Sequence, residues 1–73
     1  MPEKRFMTKK DAISYIMEQT GVGRYAVDRK IDQLHYQGMI HVEDDPIDSR
    51  KKRISIDDVE RVVHFIRGSE RES

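Results

Sequence analysis

Residues 21–40 read GVGRYAVDRKIDQLHYQGMI and predict a tight turn followed by an amphipathic helix. Glycines on both sides of Val22 permit the unusual backbone angles of a short turn. Three apolar residues then recur at intervals of four and three, and they are Val27, Ile31 and Leu34. This spacing gives one buried face to a helix over residues 24–37. Gly38 follows it, and glycine is the residue type that most often ends a helix.

Another helix is predicted on the N-terminal side of this turn, over residues 9–19. Thr8 precedes it as an N-cap, and Asp11 follows three residues later as in a capping box. Four apolar residues share one stripe of this helix, and they are Ala12, Ile13, Ile16 and Met17. Two amphipathic helices joined by so short a turn predict a helix-turn-helix.

A β-hairpin is expected after the second helix. Its strands are predicted over residues 39–42, MIHV, and residues 53–56, RISI. Ile54 and Ile56 alternate with polar residues, as in a strand that buries one face. The loop between the strands is first acidic and then basic and contains Pro46, so it is too polar for a core.

A last helix is predicted over residues 58–67, with Gly68 as its stop signal. Its apolar stripe consists of Val59, Val62, Val63 and Ile66. The predicted fold is therefore α+β and mostly α. It is a winged helix-turn-helix made of two helices, a two-stranded β-hairpin wing and a C-terminal helix.

Length and composition are those of one small domain. The chain has 73 residues, no cysteine and a formal net charge of +0, so no disulfide framework supports its core. The winged-helix domain is predicted over residues 8–68, between a flexible basic arm at 1–7 and a disordered tail at 69–73. No apolar run reaches the roughly 20 residues of a membrane span, and no signal-peptide pattern is present. We therefore expect a cytoplasmic protein without membrane contact.

The polar face of the second helix is the candidate surface for reading a nucleic acid. Arg29 is suited to bidentate contact with guanine, and Gln33 is suited to adenine. The basic run at residues 50–53 is suited to phosphates or to a minor groove. The candidate DNA-binding residues are Arg24, Tyr25, Asp28, Arg29, Gln33, Tyr36, Arg50, Lys51, Lys52, Arg53, Lys9 and Lys10.

The same charges allow other interpretations. The second helix can simply expose a solvated face, on which Asp28 and Asp32 pair with neighbouring bases and repel phosphate. The hairpin tip can be a solubilising turn, in which Asp48 orients Arg50 by pairing with it. The zero net charge and these acids are the evidence for the alternative, in which the domain contacts a protein instead of DNA.

A family resemblance rests on the residues quoted above. Residues 21–40, with DPIDSR at 45–50 and RISI at 53–56, resemble the recognition helix and wing of MarR-type regulators. That resemblance implies a helix in the major groove and Arg50 in the minor groove. Residues 54–62, ISIDDVERV, resemble the segment after the wing in MerR-type and phage excisionase-like winged helices. The second helix here is about one turn longer than in MerR-type proteins.

The chain has no room for the long dimerising helices of MarR-type proteins or for the effector domain of MerR-type proteins. We therefore expect no small-molecule effector. The three histidines, His35, His41 and His64, lack the spacing of a metal site. Gly21-Val22-Gly23 lacks the lysine of a phosphate-binding loop, and the carboxylates near residue 58 suit helix capping. We expect no enzymatic activity, no cofactor and no metal.

The sequence thus predicts specific binding of double-stranded DNA by a small transcriptional regulator or a phage- or plasmid-type accessory factor. A homodimer is expected, because one such domain reads few base pairs. Either Phe6, Met7 and Phe65 form the dimer seam, or Phe6 fills the core and Phe65 makes a satellite contact with it. The alternative is a winged-helix module that docks on a protein, as an adaptor or inhibitor, and does not bind DNA.

Overall fold

Helices make up most of the fold in the computed structural model, which describes residues 5–71 and the side chains of residues 5–68. Six elements follow one another, and they are β1 (Phe6–Thr8), α1 (Lys9–Thr20), α2 (Arg24–Tyr36), β2 (Val42–Asp44), β3 (Lys52–Ser55) and α3 (Ile56–Arg71). The predicted α+β, mostly helical class is therefore confirmed. The sheet, however, has three strands instead of two.

The first two helices lie where the sequence predicts them. Thr8 Oγ1 accepts a hydrogen bond from the backbone N–H of Asp11 at 3.1 Å and so caps α1. Gly21 takes a left-handed conformation with φ of 75°, and its N–H donates to the carbonyl of Met17 at 2.8 Å. Val22 of the turn is half-buried against the core, so the turn anchors α1 to α2.

β3 is the central strand of the antiparallel sheet, between β1 and β2. Ile54 of β3 lies opposite Met7 of β1 and opposite Val42 of β2. Side chains that lie opposite each other share one face of a sheet. Ile54 is fully buried and the other two side chains pack against the core, so this face of the sheet covers one side of the core.

β1 corrects the predicted flexible arm at residues 1–7. Phe6 and Met7 pair with β3, and the N–H of Ile56 donates to the carbonyl of Arg5 at 2.9 Å. The reason is that β3 otherwise has an open edge, which a short apolar segment can cover. Residues 1–4 of the predicted arm lie outside the described residues.

The predicted strand at residues 39–42 is also wrong, because only Val42 of it belongs to a strand. Two side chains of α3 instead bind the backbone of residues 39 and 41. Asp58 Oδ2 accepts from the N–H of His41 at 3.1 Å, and Arg61 Nη1 donates to the carbonyl of Met39 at 2.9 Å. These backbone groups are therefore satisfied without a strand partner.

α3 is longer than predicted at both ends. It begins at Ile56, which the sequence assigned to a strand, and Ser55 Oγ accepts from the N–H of Asp58 at 3.2 Å. It continues past Gly68 to Arg71, so residues 69–71 of the predicted disordered tail are helical. Residues 72–73 lie outside the described residues.

One apolar core joins the three helices to the sheet. Its buried members are Ala12, Ile13, Ile16, Val27, Ile31, Leu34, Ile40, Ile54, Val59, Val62, Val63 and Ile66. Met7 and Phe65 are partly buried against this core, which supports the satellite contact predicted for Phe65. The predicted core filling by Phe6 is wrong, because Phe6 is 37% exposed and its ring lies against the Arg53 guanidinium.

Gly68→Ala is expected to stabilise the protein by about 0.5–1 kcal/mol. Gly68 lies within α3, its φ is not positive, and open space surrounds its Cα, whereas alanine favours a helix. Gly21→Ala is the matched control and should destabilise by about 1 kcal/mol, because Gly21 has φ of 75°. Chemical denaturation measures both changes, and a destabilising Gly68→Ala would contradict the extent of α3.

Candidate nucleic-acid interface

The face of α2 opposite the core carries the predicted reading residues in exposed positions. Tyr25 is 74% exposed and Tyr36 is 92% exposed. Arg29 and Gln33 are also exposed on this face, and Arg24 is exposed at the first position of α2. The Arg29 guanidinium lies 5.8 Å from the centre of the Tyr25 ring. At this distance the face of the ring attracts the cation. This face therefore presents two donors suited to base edges and two aromatic rings.

Lys9 of α1 lies between the two acids of α2. Its Nζ is 3.0 Å from Asp28 Oδ1 and 3.0 Å from Asp32 Oδ1. Burial alone would lower the pKa of Lys9, but hydrogen bonds to both carboxylates and their charges outweigh it, so this pKa is raised. Lys9 therefore stays charged and neutralises part of the negative charge on α2.

Lys9, Asp28 and Asp32 form a cluster that we call the lysine clamp. It changes the roles of Lys9 and Asp28, which were both predicted to contact DNA. Asp28 Oδ1 is buried, and its described polar contact is the ionic one with Lys9. The Lys9 side chain is only 27% exposed. Lys9 and the buried oxygen of Asp28 therefore bind each other and fix α1 against α2, while the Asp28 side chain as a whole is 44% exposed.

A basic groove lies between the start of α1 and the second half of the hairpin. It is lined by Thr8, Lys9, Lys10, Arg50, Lys51 and Lys52. β1 creates it, because Thr8 pairs with Arg53 and so brings the first turn of α1 beside β3. The positive end of a helix and several cations there favour a bound anion. The structure thus joins two predicted basic segments that are far apart in the sequence.

Two of the predicted hairpin cations are bound to acids of β2. Lys52 pairs with Asp44, and Arg53 pairs with Glu43 while its guanidinium lies 4.1 Å from the Phe6 ring centre. Neither pair is predicted from the sequence, although opposite charges at facing positions of a hairpin indicate cross-strand pairs. Lys52 and Arg53 therefore hold β2 and β1 against β3.

The remaining hairpin cations are more available. Arg50 is 90% exposed, and its Nε donates to Asp48 Oδ1 at 3.3 Å, which confirms the predicted pairing. Lys51 is exposed at the turn, and Lys10 is exposed on α1. Within residues 5–68, no ion pair is described for Lys10 or Lys51. Lys10, Arg50 and Lys51 are thus the cations that face solvent at the groove.

The hairpin turn is organised by two aspartates that the sequence reading did not assign to a site. Asp45 Oδ1 accepts from the N–H of Ile47 at 2.8 Å and from the N–H of Asp48 at 3.3 Å. Asp48 Oδ1 accepts from the N–H of Arg50 at 3.1 Å. The Asp-Pro dipeptide at residues 45–46 is a sequence signal for a turn, and aspartate side chains in turns commonly accept from backbone N–H groups two residues later. The role of Asp45 could therefore have been predicted from the sequence.

The turn is expected to lose stability in acid. The backbone N–H of Ile47 lowers the pKa of Asp45 below its usual 3.8. A lowered folded pKa gives stabilisation that is complete above the unfolded pKa and is lost as the pH falls through the folded pKa. NMR exchange protection of the Ile47 amide should therefore fall below about pH 4. Asp45→Ala should remove it at every pH, whereas Asp44→Ala should not, and equal protection in all three proteins would contradict this role.

Comparison with known protein families, curated proteins and solved structures finds no significant match to this chain. Within residues 5–71, none of the helices has the length and apolar character that a membrane span requires. The candidate site has four parts, which are the exposed face of α2, the lysine clamp, the basic groove and the hairpin turn held by Asp45 and Asp48.

Proposed function

We propose that this chain is a winged helix-turn-helix domain that binds double-stranded DNA in a sequence-specific manner. α2 enters the major groove, and the hairpin acts as a wing on the adjacent minor groove or backbone. The biological role would be that of a small transcriptional regulator or a phage- or plasmid-type accessory factor. The observation that carries the proposal is the basic groove, in which cations from α1 and from the hairpin converge.

The basic groove supplies affinity in this proposal. Lys10, Arg50 and Lys51 are exposed and contact phosphates, which favours binding of any duplex. Arg50 is also the cation best placed for a minor groove, because its side chain is 90% exposed beside the turn. Lys9, Lys52 and Arg53 act as positioning residues, since each is paired within the protein.

The exposed face of α2 supplies specificity. Arg29 and Gln33 read base edges, while Arg24, Tyr25 and Tyr36 contact phosphates or thymine methyl groups. The lysine clamp makes this approach possible, because it reduces the repulsion between the two α2 acids and the DNA backbone. Asp28 holds Lys9 through its buried Oδ1 and, as an acid, is not itself a DNA contact in this proposal.

Binding as a homodimer or as several cooperating copies follows from the size of the domain. A single module of this kind covers roughly 600–1,000 Å² of protein surface, which is small for tight and specific binding. Two copies on an inverted repeat would double the number of bases read.

The first test compares Arg29→Ala with Lys51→Ala on a duplex selected from a random pool and on an unrelated duplex. Arg29→Ala should weaken binding to the selected duplex by about 5- to 150-fold, with a much smaller loss on the unrelated one. Lys51→Ala should weaken both equally and reduce the salt slope by about one unit. Equal losses on both duplexes for Arg29→Ala would contradict the role of α2.

A protein-docking module is the second candidate function. The pairing of Lys52 with Asp44 and of Arg53 with Glu43 favours it, since these pairs reduce the net charge of the hairpin. Exposed tyrosines such as Tyr36 are also common in protein interfaces. Absence of duplex binding at low salt, together with a defined protein complex, would favour this candidate over the first.

A further inference from the structure

The tip of the hairpin exposes an isoleucine that the proposed contacts do not use. Ile47 is 95% exposed, more than any other large apolar side chain described, and the exposed Pro46 precedes it. Turn positions are usually filled by glycine, asparagine, aspartate or serine. A β-branched apolar residue at this position adds nothing to the core of the domain.

The turn holds Ile47 outward with a network of hydrogen bonds. Its own N–H is bound by Asp45 Oδ1 at 2.8 Å. Two backbone bonds close the loop, from Asp45 N to the Lys51 carbonyl at 2.9 Å and from Lys51 N to the Asp48 carbonyl at 3.0 Å. The proline ring further restricts the backbone. The apolar tip is thus preorganised, so little conformational freedom is lost when it is buried.

We propose that Ile47, supported by Pro46, is an apolar wedge that inserts between base pairs from the minor groove of the bound duplex. This inference rests on the proposed function. Proteins that bind the minor groove commonly insert isoleucine, proline or similar side chains between base steps and bend the duplex. Arg50 and Lys51, four residues or fewer from the tip, contact the phosphates on either side.

The small apolar area of the tip favours a base step over a protein surface. Two apolar residues fall far short of the roughly 800 Å² that each partner buries in a stable protein complex. One or two side chains are sufficient for a wedge, provided that cations anchor the backbone beside it. Arg50 is 90% exposed and supplies such an anchor. A flexible pyrimidine–purine step is the expected position of insertion.

The test measures DNA bending, by energy transfer between dyes at the two ends of a selected duplex, together with affinity. The wild-type protein should bend the duplex by about 20° or more. Ile47→Ser should remove most of the bend and weaken binding about tenfold, whereas Ile47→Leu should retain both. Because Ile47 is almost fully exposed, neither substitution should change the melting temperature.

The outcomes separate this inference from the proposed function. Wild-type binding without a bend, or an Ile47→Ser protein that binds and bends as the wild type does, would overturn the wedge and leave DNA binding intact. Absence of wild-type binding to any duplex would overturn both. Loss of the bend in Ile47→Ser with retention in Ile47→Leu would support the wedge.

Discussion

Ile54→Ala is expected to lower the free energy of unfolding by about 3 kcal/mol, within the range measured for isoleucine truncations in cores. Ile54 is fully buried in the central strand, between Met7 and Val42 of the neighbouring strands. Its truncation therefore leaves a cavity where the sheet meets the helices. A domain of this length has roughly 4–11 kcal/mol of stability in total, so a large part of it would be lost.

Urea denaturation followed by circular dichroism measures this loss, and the melting temperature should fall by about 12–24 °C. The matched control is Ile47→Ala, which makes the same chemical change at a side chain that is 95% exposed. Its effect should stay within about 0.5 kcal/mol. Equal effects of the two substitutions would contradict the placement of β3 at the centre of the sheet.

Lys10→Glu combined with Lys51→Glu is expected to weaken duplex binding about 100-fold at roughly 0.1 M salt. Each residue provides one phosphate contact in the proposed complex, and each glutamate adds repulsion. Lys10 and Lys51 line the basic groove from α1 and from the hairpin, respectively. Within the described residues they have no ion pair to break, so the fold should be unaffected.

The control for charge reversal is Arg67→Glu, at an exposed position on α3 and outside the groove. It should change affinity by less than about threefold, through long-range electrostatics alone. Fluorescence anisotropy with one duplex gives all the values. A loss in Arg67→Glu as large as in the double variant would show that overall charge, and not the groove, determines binding.

The elements that the sequence predicts well are those with local signals. Thr8 and Asp11 lie three residues apart, and the apolar stripe of α2 repeats within one helix, so helix boundaries follow from neighbouring residues. The Arg50–Asp48 pair was predictable for the same reason. The exposed face of α2 also follows directly, because it lies opposite Val27 and Ile31.

The features that the sequence does not predict depend on contacts between distant segments. β1 has three residues and forms because it pairs with β3 near the other end of the chain. Residues 39–41 have an apolar pattern, but side chains of α3 bind their backbone and no strand forms there. Tertiary contacts outweigh strand propensity in such short segments.

The candidate site shows the same limit. The basic residues of α1 and of the hairpin were predicted separately, but the groove that joins them exists only because β1 pairs with β3. The lysine clamp joins Lys9 to Asp32, which follows it by 23 positions. No local pattern indicates that partner, so Lys9 and Asp28 were predicted as DNA contacts instead of as a clamp.

Titration of the wild-type protein with double-stranded DNA at roughly 50 and 200 mM salt tests the proposed interface most directly. Lys10, Arg24, Arg50 and Lys51 are the proposed phosphate contacts, so the logarithm of affinity should fall with a slope of about −3 to −4 per protomer. Affinity should therefore drop about 100-fold between the two salt concentrations. Absence of binding at the lower concentration, or affinity independent of salt, would contradict the DNA-binding proposal.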